Sequence, residues 1–106
     1  MTIIEAIMEI CDETIPKEID GLTIHIVVKE EKIPFVENIY REHYRITILP
    51  SCRADNIGVS TKIPKDLFPV DRADSELTYN FLKKTVEDLF LLFVRGIIKN
   101  FERSKA

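Results

Sequence analysis

From Asp74 to Ala106 the chain reads as one long helix with more apolar surface than a small sheet can cover. In the stretch LFLLFVRGII, Leu89 to Ile98, eight of ten residues are hydrophobic. At about 100° per residue, Tyr79, Leu82, Val86, Leu89, Phe90, Phe93, Val94, Ile97 and Phe101 share one broad face, the face a helix lays on a sheet. Leu77, Phe81 and Leu92 fall on the far side among Lys84, Asp88, Arg95 and Lys99, with Leu91 at the margin. A helix of about 27 residues is roughly 40 Å long, whereas a nine-residue strand is roughly 30 Å, so the helix overhangs its own sheet. Each large apolar side chain left in water forgoes about 1.5–3 kcal/mol, and contiguous apolar patches mark contact surfaces. The expectation is a homodimer built on Leu77, Phe81, Leu91 and Leu92. The competing expectation is that the first helix and residues 30–39 cover them within one chain. Gly96 costs a helix about 1 kcal/mol relative to alanine, which argues for a bend or end there, or for close approach of another backbone.

The remaining elements follow from periodicity. Thr2 and Glu5 have the spacing of a capping box, so a first helix starts at Ile3 and ends near Thr14, before Pro16. Gly21 to Lys29 alternates, with Leu22, Ile24, Ile26 and Val28 on one parity and Thr23, His25, Val27 and Lys29 on the other. Tyr40, Tyr44, Ile46 and Ile48 alternate with Arg41, His43, Arg45 and Thr47 in a second strand that Pro50 stops. The intervening KEEKIPFVENI is long for a tight hairpin and holds Pro34, so it reads as a partly ordered connection. After SCRADN, a third strand places Ile57, Val59, Thr61 and Ile63 opposite Gly58, Ser60 and Lys62, and Pro64 to Pro69 lead into the last helix. Acidic residues at the entry of that helix and basic ones at its exit match the helix dipole. The expected fold is α+β in the order α-β-β-β-α: a three-stranded antiparallel sheet with helices on one face, forming a single domain over residues 1–106.

Composition bounds function. A formal net charge of −3 lacks the broad positive field that general binding to nucleic acid or anionic membrane requires. Cys11 and Cys52 are the only cysteines, too few for a disulfide scaffold and without CxxC spacing, so free thiols in the cytoplasm are expected. The acidic residues in the first helix argue against a secretory leader. The uncharged run Leu89 to Val94 is far short of the roughly 20 apolar residues a membrane span needs.

Strand parity gives the most specific surface. The polar parities bring His25, Lys29, Arg41, His43, Arg45 and Lys62 onto the sheet face away from the helices, suiting an acidic protein or an anionic ligand such as a nucleotide. An ordinary solvated sheet face explains the same pattern, because open antiparallel sheets keep one polar side. The element order is that of double-stranded RNA-binding domains, but the likeness ends there. That family grips phosphates with a lysine-rich start of its second helix, where this chain has the acidic VDRADSEL, so double-stranded RNA is not expected. A single-strand RNA platform needs aromatic residues on the open face, and Tyr40 and Tyr44 have the other parity.

Catalytic signals are weak. Cys11, His25, His43 and Cys52 lack the close-paired spacing of zinc ligands, so neither metal nor cofactor is expected. The sequence holds no GxGxxG, P-loop, GxSxG or HExxH pattern. Cys52 beside Arg53, or a histidine, is the residual basis for an enzyme. The preferred expectation is a non-enzymatic interaction protein of adaptor or inhibitor type, homodimeric through its last helix, with anionic-ligand binding as the alternative.

Overall fold

The computed structural model describes residues 1–51 and 58–105. Helix α1 spans Ile3–Thr14, and its first turn is closed by the capping box: the Glu5 N–H donates to Thr2 Oγ1, while the Thr2 N–H donates to Glu5 Oε1. The strands are β1 (Glu18–Ile19), β2 (Leu22–Val36), β3 (Ile39–Pro50) and β4 (Val59–Pro64), paired antiparallel in chain order. Ile57, expected in the last of these strands, lies outside the described residues. A short 3-10 turn at Lys65–Leu67 leads through Asp71 and Ala73 into helix α2, Glu76–Lys105.

The architecture is α+β as the pattern predicts, with an antiparallel sheet and a long C-terminal helix, but the sheet has four strands rather than three. The additional strand, β1, folds back on the start of β2 through Asp20 and Gly21, both with positive φ, in the two-residue turn that matches strand twist. A two-residue strand is too short to show alternation, which is why the pattern misses it.

The second correction concerns residues 30–39. They are not a loose connection: β2 runs to Val36 and β3 starts at Ile39, joined through Glu37 and Asn38, the latter in the left-handed region at φ 65°. From Lys32–Glu42 to Val36–Ile39 no third strand lies beside this hairpin among the described residues, so it continues beyond the sheet as a two-stranded arm. Pro34 is tolerated there because the register is already irregular between Pro34 and Val36 and no neighbouring strand needs its missing N–H. The third correction concerns Gly96, where the helix does not end: α2 continues through it to Lys105.

Both helices cover one face of the sheet. Ile3, Ile7 and Ile10 of α1, Ile24 of β2, Tyr44, Ile46 and Ile48 of β3, Ile63 of β4, and Leu82, Val86, Leu89 and Phe93 of α2 form one buried cluster. The strand parities read from the sequence are therefore the observed ones over the region the helices cover. Tyr40 shares the parity of Tyr44 but lies on the arm past the core, and is exposed. No helix among the described residues is long and apolar enough to cross a membrane.

Candidate functional site

The four residues expected to exceed the reach of the core are left in water. Leu77 is 84% exposed, Phe81 45%, Leu91 53% and Leu92 53%, and neither α1 nor the 30–39 arm covers them. The fold explains why: α2 spends Leu82, Val86, Leu89 and Phe93 on the core, and these lie on the opposite side of the helix. Phe81 makes one partial contact, an edge-on approach to Phe68 with ring centroids 6.3 Å apart. Leu67, Phe68, Leu77, Thr78 and Phe81 line a shallow apolar cleft of about 290 Å³ at this end of α2. Lys84 and Asp88, 3.9 Å apart on the exposed side, separate that cleft from Leu91 and Leu92.

The second surface is the open sheet face. The register sets Lys29 opposite Arg45 and Arg45 opposite Lys62, a row of three cations across three strands. His43 and Arg41 continue along β3 toward the arm, where Arg41 stacks on the Phe35 ring at 3.9 Å. His25 lies opposite Leu49 near the other end. The structure thus gathers Lys29, Arg45, Lys62 and His43, while His25 and Arg41 stand at opposite ends of the face.

Sequence reasoning missed Glu31 here. Its carboxylate accepts a hydrogen bond from Arg45 Nε at 2.7 Å and pairs with Lys29 Nζ at 3.2 Å. The Arg45 hydrogen bond is the main cause that holds the Glu31 carboxyl below its ordinary value, with Lys29 adding to it. Arg45 also donates from Nη1 to Ser60 Oγ at 3.0 Å, so its guanidinium is fixed from two sides. Continuing the alternation of β2 two residues past Lys29 is the signal that finds Glu31. On the helix-covered face Lys65 pairs with Glu30 at 3.0 Å and with Glu42 at 4.0 Å, so the basic row is confined to the open side.

Among the described residues, Cys11 and His25, both raised for metal chemistry, are not brought together. Cys11 is buried between α1 and the sheet, with its thiol pushed up to about 11 chiefly by burial, whereas His25 lies exposed on the far side of the sheet. Cys52 lies outside the described residues. Among the described residues no group of three or more His, Cys, Asp or Glu side chains is arranged to hold a metal ion.

No known protein family, curated protein or solved structure matches the chain.

Proposed function

We propose that this protein is a non-enzymatic interaction protein that works as a homodimer through the outer side of α2. The observation that carries the reading is the exposure of Leu77, Phe81, Leu91 and Leu92 on a helix whose opposite side is already spent on the core. Four large apolar side chains in water on one element are the mark of a contact surface. Because α2 lies on the helical side of the sheet, a dimer formed this way leaves both open sheet faces free, and it presents two copies of the row Lys29, Arg45, Lys62 to an acidic macromolecular partner. Sedimentation of the intact chain at micromolar concentration tests the reading: a dimeric mass that Phe81→Asp or Leu92→Asp converts to a folded monomer supports it, and a monomeric wild-type chain rules it out.

The three-cation row favours a second reading, the binding of an anionic small molecule on the open face. Glu31 neutralises part of that row, and Lys62 makes no ion pair among the described residues. Thermal stabilisation by nucleotides or inorganic phosphate that Arg45→Ala abolishes supports this reading; its absence leaves the interaction reading alone.

A further inference from the structure

The exposed side of α2 carries more order than four apolar residues. Leu77, Phe81, Lys84, Asp88, Leu91 and Arg95 follow one another at alternating steps of four and three residues, and all six are exposed. That stepping is the seam spacing of a coiled coil. On the same helix Leu82, Val86, Leu89 and Phe93 form a separate, buried seam against the sheet and α1, so the outer seam is not an extension of the core. The polar members of the outer seam occupy its middle and one end, which restricts how a second helix can lie on it.

We infer that two copies of this chain pair their α2 helices antiparallel about a two-fold axis level with Val86. Each Lys84 then faces the partner's Asp88, each Phe81 faces the partner's Leu91, and each Leu77 lies on the aliphatic stem of the partner's Arg95. The inference rests on the reading of α2 as the self-association surface and adds its geometry. A two-fold contact requires that if one residue meets another, the second meets the first in the other copy. Under this operation all six seam positions pair off, apolar with apolar at Phe81, opposite charge with opposite charge at Lys84, and a leucine with a long cationic stem at Leu77.

The other arrangements fail on the same residues. Parallel pairing stacks Lys84 on Lys84, Asp88 on Asp88 and Arg95 on Arg95. Sliding the antiparallel pair by one heptad sets Lys84 against the partner's Arg95; sliding it the other way sets Leu77 against the partner's Asp88 and leaves Leu91 and Arg95 level with positions before the start of the partner's α2. Like charges and charges pressed on apolar groups both oppose association. In the proposed register the partner's Leu92, just off the seam, comes level with Asn80, within a turn of Leu77 and Phe81 and of the cleft they line with Leu67 and Phe68. That cleft and Leu92 lie toward opposite ends of the seam, as a self-complementary surface needs. Within one chain Lys84 and Asp88 are only 3.9 Å apart, with side chains 79% and 60% exposed, an ion pair of little worth until a partner desolvates it. Glu87 lies beside the axis near the partner's Glu87, a like-charge approach that Glu87→Gln removes.

Charge reversal tests the register in the full-length chain. Lys84→Glu homodimers set the introduced carboxylate against the partner's Asp88 twice, and Asp88→Lys homodimers place two lysines together twice, so each variant alone is expected to dimerise about tenfold or more weakly than wild type. An equimolar mixture of the two variants restores opposite charges at both layers, and is expected to form a heterodimer at least as tightly as the wild-type homodimer. Neither variant retains the pair within its own helix, so rescue on mixing cannot come from repaired helix stability. Sedimentation of wild type, each variant and the mixture, with circular dichroism to confirm folding, gives the answer. If wild type dimerises while both variants dimerise equally well, or while mixing rescues nothing, the register is overturned and self-association stands. If wild type is monomeric, both fall together. A tighter dimer from Glu87→Gln supports the axis position independently.

Discussion

The phenol of Tyr44 donates to Asp71 Oδ1 across 3.0 Å, joining the middle of β3 to the segment that leads into α2. The same oxygen accepts the N–H of Ile3 at 3.1 Å, and the Ala73 N–H donates to the Met1 carbonyl at 3.0 Å, so one carboxylate ties the sheet, the connector and the start of α1 together. The position suits a carboxylate, since unpaired N–H groups and the dipole of a helix N-terminus both favour negative charge. Tyr44→Phe removes one of its partners in a buried setting and is expected to cost about 1–3 kcal/mol, read as a lower urea midpoint with an unchanged slope. Asp71→Ala strips both donors of their acceptor and is expected to cost more than Tyr44→Phe in the same assay.

Tyr44 also gives the alkaline limb of stability a particular shape. Burial first, then the hydrogen bond to Asp71, holds its phenol above the ordinary value of 10.0. A folded value above the unfolded one means that the stabilisation is fully present below the unfolded value and is lost as pH rises through the folded one, because the unfolded chain then binds fewer protons than the native chain. Tyr44→Phe lacks the titrating group. Urea midpoints of the two proteins are therefore expected to converge as pH rises above about 10, the ordinary tyrosine value. A constant gap across that range would contradict the assignment.

On the acid side the corresponding group is Glu31. Its carboxyl is held low by Arg45 and then by Lys29, so the stability it contributes is present above the ordinary carboxylate range and disappears as pH falls through the folded value. Glu31→Gln is expected to be less stable than wild type near neutrality and to lose that difference between about pH 5 and about pH 3. The same change leaves Lys29 and Arg45 without their shared carboxylate, so it is also expected to raise the affinity of the open face for phosphate at low salt. Equilibrium denaturation at several pH values and phosphate titration by calorimetry check the two outcomes.

The turn at Asp20 and Gly21 shows how much of the fold the sequence displays and where it stops. An aspartate followed by glycine before a strand is a hairpin signal, but a partner strand of two residues, Glu18–Ile19, carries no periodicity, so β1 is invisible to a reading based on alternation. The arm is lost for a related reason. Past Glu31 both faces of the hairpin meet solvent, so nothing forces apolar residues onto one parity, and KEEKIPFVENI reads as a loop although it pairs from Lys32 to Val36. Where one face is covered, at Ile24, Tyr44, Ile46, Ile48 and Ile63, parity and burial agree. Gly21 has φ +83°, and nothing lies within 4 Å of where a β-carbon would stand, so Gly21→Ala tests conformation alone and is expected to cost about 1 kcal/mol by thermal melting. Asp20→Gly, which keeps the turn accessible, is expected to change stability by less.

The two sides of α2 show the same division between what a pattern reveals and what it conceals. Helical spacing identifies both the core face and the residues outside it, but it does not show that Lys84 and Asp88 interrupt the outer stripe at its centre, because charged residues on an exposed face attract no notice until the apolar ones beside them are found uncovered. The two sides are expected to respond oppositely to substitution. Phe93 is fully buried against the sheet and α1, and Phe93→Ala is expected to cost about 3–5 kcal/mol of folding stability, since the cavity adds to the lost transfer energy. Leu91→Ser, on the 53% exposed side chain, is expected to change monomer stability by less than about 0.5 kcal/mol while weakening self-association. Denaturation at low protein concentration isolates the first quantity and sedimentation at high concentration the second. A large folding defect in Leu91→Ser would mean that this side chain is covered within its own chain, and would remove the outer seam of α2 as a surface for a second copy.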